Sequence, residues 1–232
     1  MSILEPAEGL VLRHALTVPL TDMEWRQSGD GETYTLRGHA AVFNAPSDDL
    51  GGFREILAPG AFRAALRAAP DVRLLFNHDP NYVLARTASG TLELREDTHG
   101  LHVWARIAPT GWVTDLRTSM QRGDIDQMSF AFTVGEDGDD WAVTEDGTVV
   151  RTIRQDGVKG LFDVSVVTYP AYPQTDASMR SVLENAAKRG RIPGWAAPDS
   201  AAPETVDTSP TASRIHAFRL KRERALNEHK PK

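Results

Sequence analysis

Apolar residues at every second position, in short runs cut by turn residues, restrict the fold of this chain more than any other feature. In Thr91-Leu92-Glu93-Leu94-Arg95-Glu96 the alternation is clean. After a turn at Asp97-Thr98-His99-Gly100 it resumes in Leu101-His102-Val103-Trp104-Ala105-Arg106-Ile107, where Leu101, Val103, Ala105 and Ile107 share a face. A period of two is that of half-buried strands, and the turn makes the pair a hairpin. Tyr34, Leu36, Gly38, Ala40 and Val42 alternate in the same way with Thr35, Arg37, His39 and Ala41. Further strands are expected at Phe53–Leu57, in the apolar run Arg73–Pro80, and at Val83–Thr87, Ile125–Val134 and Leu161–Val167, with another hairpin turning at Glu145-Asp146-Gly147-Thr148.

Helical patterning is sparse. The Pro59-Gly60 turn leads into Ala61–Ala69, rich in helix-forming alanine, leucine and arginine, with Phe62, Ala65, Leu66 and Ala69 on one side. Thr114–Gly123 pairs Leu116 with Met120 one turn apart and ends on a glycine, the usual helix stop. The expected class is therefore mainly β with flanking helices.

At 232 residues and 41% hydrophobic, the chain can bury one good core, and a second full domain would be crowded. Four parts are expected: an N-terminal arm over 1–20 with a slightly helical apolar rhythm, a folded domain over 21–185, a linker of small residues over 186–213, and a basic tail over 214–232. That tail carries seven Lys or Arg residues against Glu223 and Glu228. The linker is too poor in large apolar residues to stay packed. The absence of cysteine excludes disulfides, thiolate zinc sites and a cysteine nucleophile, and fits a cytosolic compartment. The N-terminus lacks a basic region followed by an apolar core, so neither secretion nor a membrane span is expected. A net charge of -6 argues against a nucleic-acid-binding surface over the whole protein and leaves local basic segments open.

Three strands carry the chemistry. Arg73-Leu74-Leu75-Phe76-Asn77-His78-Asp79-Pro80 delivers a histidine to the end of an apolar run. On the next, Met128, Phe130, Phe132 and Val134 point one way, while Ser129 shares the other face with the small Ala131, leaving room for a substrate. On the third, Leu161, Asp163, Ser165 and Val167 face one side, and Phe162, Val164 and Val166 the other. A carboxylate in so apolar a strand is costly to bury unless it is partnered, and accepting the Nδ1 proton of a histidine would offset that cost. Base, nucleophile and carboxylate are the set a serine hydrolase needs. No Gly-x-Ser-x-Gly elbow is present, which argues against an esterase of the α/β type.

Other clusters read as ordinary surface. Asp137-Gly138-Asp139-Asp140 lacks the downstream glutamate of a calcium loop and is expected to be a solvated acidic hairpin. His99-Gly100-Leu101-His102 has too few partners for zinc, and Gly51-Gly52 lacks the context of a phosphate-binding loop. No cofactor and no metal are implied.

Six motifs in order carry a resemblance. They are Gly38-His39-Ala40-Ala41-Val42-Phe43, Pro59-Gly60-Ala61-Phe62, Leu75-Phe76-Asn77-His78-Asp79, Gly100-Leu101, Met128-Ser129-Phe130-Ala131-Phe132 and Asp163-Val164-Ser165-Val166-Val167-Thr168-Tyr169-Pro170-Ala171. Over roughly Thr33 to Thr175 the chain resembles the tailed-phage prohead, or capsid maturation, proteases. The resemblance implies a small closed or partly closed β-barrel of the herpesvirus-assemblin type. It also implies a serine endopeptidase that cuts scaffold, or the scaffolding part of the major capsid protein, and usually itself, inside the assembling prohead in the host cytoplasm.

By position, His78 matches the family's base and Ser129 its nucleophile. Asp163 is the third member chosen, with His99 and His102 as rivals because the herpesvirus relatives use a second histidine. Ala85 and Ala131 stand where the family usually has glycine, which implies tighter packing near the site. The implied partners are the major capsid protein and scaffold as substrates, with self-association left open and neither membrane nor specific nucleic acid. The alternative on the same barrel is a non-catalytic capsid-assembly or scaffolding module, with linker and tail doing the binding.

Overall fold

The computed structural model describes residues 12–14, 24–27, 33–169 and 176–193. All lie in the first of two units, Met1–Ala196; the second, Ala197–Lys232, falls outside the described residues, as do most of the expected linker and the whole basic tail. In chain order the elements are β1 (Leu12–His14), β2 (Glu24–Gln27), β3 (Tyr34–Val42), β4 (Arg54–Leu57), α1 (Arg63–Arg67), β5 (Arg73–Phe76), β6 (Asp79–Arg86), β7 (Leu92–Glu96), β8 (Gly100–Ile107), α2 (Gly111–Arg122), β9 (Gln127–Val134), β10 (Asp139–Val143), β11 (Val149–Ile153), β12 (Val158–Val167) and α3 (Asp176–Lys188).

The fold is mainly β, and its strands lie in three ladders, ordered β1-β9-β12-β5-β6, β10-β11-β4 and β2-β3-β8-β7. The expected closed barrel is not formed among the described residues. Closure requires each strand to be paired on both sides, whereas β1 and β6 are each hydrogen-bonded on one side only within their ladder. The arm also departs from its expected helical rhythm, because Leu12–His14 is a strand antiparallel to β9.

Between the sheets the inward faces merge into one core, with Leu36, Phe53, Phe62, Leu74, Leu101 and Phe132 fully or almost fully buried. Phe130 sits inside it, edge-on to Phe62 at 5.4 Å and tilted against Phe132 at 5.0 Å. Truncating such a ring to alanine costs about 3–5 kcal/mol through lost burial and the cavity left behind.

Two bulges re-aim side chains that strict alternation would send elsewhere. In β3 the register slips between His39 and Ala41, so that Ala40 and Ala41 are both buried. Gly100 is required opposite this bulge, since a Cβ there would run into the Ala41 carbonyl. In β12 the register to β9 slips between Leu161 and Asp163. Leu161 therefore opposes Phe132 on the core side instead of sharing a face with Asp163, and Phe162 is left 44% exposed.

Helices depart from their expected limits at the ends. α1 keeps only Arg63–Arg67, and the chain leaves it through Ala69 in a left-handed conformation just before Pro70. α2 starts at Gly111, earlier than expected, and closes where expected: Gly123 is left-handed, and the N–H groups of Gly123 and Asp124 return to the carbonyls of Met120 and Ser119. α3 was not expected, although Val182, Leu183, Ala186 and Ala187 give it an apolar stripe before Gly190. Ala186 and Ile192 are buried, so the first part of the expected linker is packed.

The acidic hairpin is not wholly solvated either. Asp139 is buried, and its Oδ2 receives the Arg151 Nε–H at 2.6 Å and the Trp141 Nε1–H at 3.2 Å. Arg151, also buried, gives its Nη1–H to Glu55 Oε2 at 3.1 Å. Arg191, just past α3, donates Nη2–H to the Asp139 carbonyl at 2.7 Å. The same nitrogen lies 2.6 Å from Asp139 Oδ1, too oblique for a second hydrogen bond but close enough for an ion pair.

Candidate active site

The site lies on one face of the five-stranded sheet, where three neighbouring strands, β9, β12 and β5, each contribute one element of it. Register explains the convergence. Across the antiparallel β9–β12 ladder, Ser129 is opposite Ser165 and Ala131 is opposite Asp163. Directly opposed residues share a face, so Ser129, Ser165 and Asp163 project from the same side while Met128, Phe130, Val164 and Val166 enter the core. β5 runs parallel to β12 on its other side and ends at Phe76, beside Val166.

His78 then enters through a tight turn. Phe76 pairs with Asp79, so Asn77 and His78 are the two central residues of a hairpin loop, and both have positive φ, 54° and 55°. This is the backbone signature of a type I′ turn. Asparagine tolerates it well; histidine does so less readily and glycine is the usual occupant, so the position stores strain to place an imidazole. Asn77 holds the loop down: its N–H donates to the Val166 carbonyl at 2.8 Å, and its Oδ1 accepts the Thr168 N–H at 2.9 Å and the Thr168 hydroxyl at 3.2 Å.

Within this frame the imidazole bridges two side chains. Nδ1 lies 2.5 Å from Asp163 Oδ1, and Nε2 lies 2.8 Å from Ser129 Oγ. A carboxylate can only accept, so Nδ1 carries the ring proton and Nε2 presents a lone pair to the Ser129 hydroxyl. Ser165 completes the cluster by donating its hydroxyl to Asp163 Oδ1 at 2.8 Å. Ser129 and Asp163 are buried, and so is Ser165. Burying an ionised carboxylate is costly, and two donors on Oδ1 offset that cost.

Of the residues singled out from sequence, the structure brings together His78, Ser129 and Asp163. It does not bring in His99 or His102. Those two flank His39, with ring centroids 4.8 Å and 5.4 Å away, and belong with the β2-β3-β8-β7 ladder and its β7–β8 turn. His39 Nε2 donates to Asp97 Oδ2 at 2.8 Å there. Ala131 and Ala85, at positions where glycine is usual in the resembled family, are both buried; Ala131 stands directly across from Asp163. Ser165 was not among the expected site residues. Its place two residues from Asp163 on one strand face was the available signal. Among the described residues no group of three or more His, Asp or Glu side chains is arranged to hold a metal ion.

A histidine held between a serine hydroxyl and a carboxylate is the arrangement of a serine hydrolase. Residues 21–189 match the family model of the caudovirus prohead serine protease. Over 170 residues the chain is 32% identical to the prohead protease of Enterobacteria phage HK97, covering 72% of this chain and 69% of that protein. Among solved structures it is similar to the bacteriophage T4 capsid assembly protease, at 12% identity and a TM-score of 0.47, covering 69% of this chain and 98% of that one. The chain is a serine peptidase and belongs to the caudovirus prohead serine protease family.

Proposed function

We propose that this chain is a prohead endopeptidase in which Ser129 is the nucleophile, His78 the general base and Asp163 the residue that orients and charge-stabilises the imidazole. The observation that carries the reading is the single imidazole bonded through Nε2 to Ser129 and through Nδ1 to Asp163. In acylation, His78 Nε2 takes the proton as Ser129 Oγ attacks the peptide carbonyl, and Asp163 stabilises the imidazolium that forms. His78 then gives that proton to the departing amine. Water, deprotonated by the same nitrogen, releases the acyl group and returns Ser129 to its starting state.

The substrates proposed are scaffold, or the scaffolding part of the major capsid protein, and the chain itself, cut inside the assembling prohead in the host cytoplasm. Family membership and the name of the HK97 relative, a prohead protease, support that setting. The run of small residues within 186–213 that follows the packed Ile192 is the proposed self-cleavage region, since a serine peptidase cleft takes an extended peptide. The basic segment from Arg214 to Lys232 is proposed to dock the enzyme on acidic scaffold.

Co-expression with the phage's capsid protein, followed by intact mass of both chains, tests the reading. Discrete truncations are expected with the wild type and none with Ser129→Ala. Identical masses from both would favour a non-catalytic assembly module.

A further inference from the structure

Ser165 stands opposite Ser129 across the β9–β12 ladder and touches the His78–Asp163 contact from both ends. Its hydroxyl donates to Asp163 Oδ1 at 2.8 Å, and its oxygen lies 3.2 Å from His78 Nδ1. We propose that Ser165 is a positioning residue of this peptidase: it fixes the Asp163 carboxylate and moderates its hold on the imidazole. The proposal rests on the reading of Ser129, His78 and Asp163 given above.

Two serines lie within reach of one imidazole, and the geometry gives them different tasks. Nε2 offers a lone pair to Ser129, whereas Nδ1 carries a proton and cannot accept one from Ser165. Ser165 is also fully buried, out of reach of a peptide carbonyl. What its hydroxyl can do is give a second hydrogen bond to the oxygen that already receives the Nδ1–H. With two donors in fixed directions the carboxylate cannot rotate away from the ring, and part of its charge is taken up by the hydroxyl.

Charged neighbours leave that task to the serine. Arg73, beside Asp163 in the parallel β12–β5 register, turns to Asp71, with Nη2 3.2 Å from Oδ2 and Nη1–H donated to the Asp71 carbonyl at 2.8 Å. Arg86, beside Arg73 on β6, gives its Nε–H to Asp71 Oδ1 at 2.8 Å. Leu75, the register neighbour of Ser165 on β5, is apolar and buried.

Without the hydroxyl, the full carboxylate charge faces the imidazolium, which then keeps its proton to higher pH. The test is the rate at which a fluorophosphonate labels Ser129 in the full-length protein, measured across pH, because it needs no known cleavage sequence. Ser165→Ala should label about tenfold more slowly at its plateau, with the acid limb displaced upward by roughly one pH unit. Ser165→Thr, which restores the hydroxyl, should bring the limb back. Should Ser165→Ala fail to fold, Ser165→Cys, a weaker donor, must show a smaller displacement in the same direction. An acid limb that stays in place in the alanine variant, or in the cysteine variant where that one is used, overturns the proposal whether or not the rate falls. Label recovered on Ser165 would overturn it too. A wild-type protein that takes no label at Ser129 would instead sink the underlying active-site reading.

Discussion

His78 reaches Asp163 because the turn that carries it closes with both central residues in the left-handed region, beside the parallel partner of the strand that carries the acid. The contact thus joins a strained loop to the middle strand of a sheet. The turn is tied to Val166 and Thr168 and the ring is bonded at both nitrogens, so the ring is held in one orientation.

Ser129→Ala and His78→Ala are expected to lower peptide hydrolysis by at least about a thousandfold, since each removes a group that the acylation step consumes or regenerates. Asp163→Asn should fall by a similar order, because a neutral amide neither stabilises the imidazolium nor fixes the tautomer. His102→Ala should hydrolyse at the wild-type rate. Folding is checked by circular dichroism, as Phe130 and Val164, which hold the two strands in the core, are untouched. A His102→Ala loss comparable to that of His78→Ala would show that the third member had been misassigned.

Asn77→Ala should damage stability and activity together. Alanine at φ 54° pays the left-handed penalty of roughly 1–2 kcal/mol, and the bonds that Asn77 Oδ1 accepts from Thr168 are lost as well. Asn77→Gly restores the backbone freedom but not those bonds. Urea unfolding should rank wild type above Asn77→Gly above Asn77→Ala, and the hydrolysis rate should follow the same order, since the turn aims the imidazole. Equal rates in all three would mean that the loop is held in place by other contacts.

Strand positions were legible in the sequence wherever alternation was unbroken, as in β7 and β8, and became misleading at bulges. The inserted residue in β12 put Leu161 into the core rather than beside Asp163, and nothing in Gly160-Leu161-Phe162-Asp163 announces that slip. His78, Ser129 and Asp163 were recognisable as residue types on separate strands. Their convergence depends on β12 lying between β9 and β5, a pairing order that a period of two does not encode. Asp139 was misread for a related reason. Flanked by Asp137, Gly138 and Asp140 it looks like surface, and its partners Arg151 and Arg191 are remote in sequence.

That buried ion cluster makes a stability prediction. Asp139→Ala leaves the buried Arg151 guanidinium with Glu55 as its remaining carboxylate and frees Arg191 from its ion pair, and Arg151→Ala takes a guanidinium from two buried carboxylates, Glu55 and Asp139, leaving Asp139 its ion pair with Arg191. Either change should cost about 3–5 kcal/mol in urea unfolding, the range for breaking a buried ion pair by removing one partner. The double variant Asp139→Leu with Arg151→Met should be less damaging than the sum, because the two charges of the Asp139–Arg151 pair leave together and only the Arg151–Glu55 contact is lost without its counterpart. Additive losses would show that the network contributes nothing as a unit.

Two adjacent carboxylates on the β7 side should respond to acid in opposite ways. Burial would raise the pKa of Asp97, but the His39 ring and the N–H groups of Gly100 and His99 outweigh it and hold the carboxyl well below its ordinary range. For Glu96, burial prevails over the Phe62 N–H and Arg63, and its pKa is raised. The folded state therefore binds the Asp97 proton more weakly than the unfolded chain does. The stability this group contributes is complete above the ordinary carboxylate range and is lost as pH falls through the folded value. Glu96 runs the other way: its contribution is complete below the ordinary glutamate range and is lost as pH rises through the raised value. Melting temperatures at about pH 7 and about pH 3 separate the two. Asp97→Asn should be destabilised more at the higher pH than at the lower, whereas Glu96→Gln should lose stability mainly at the lower pH, or gain it at the higher. Parallel shifts for the two variants would contradict the opposed environments that the His39 contact gives Asp97 and that burial gives Glu96.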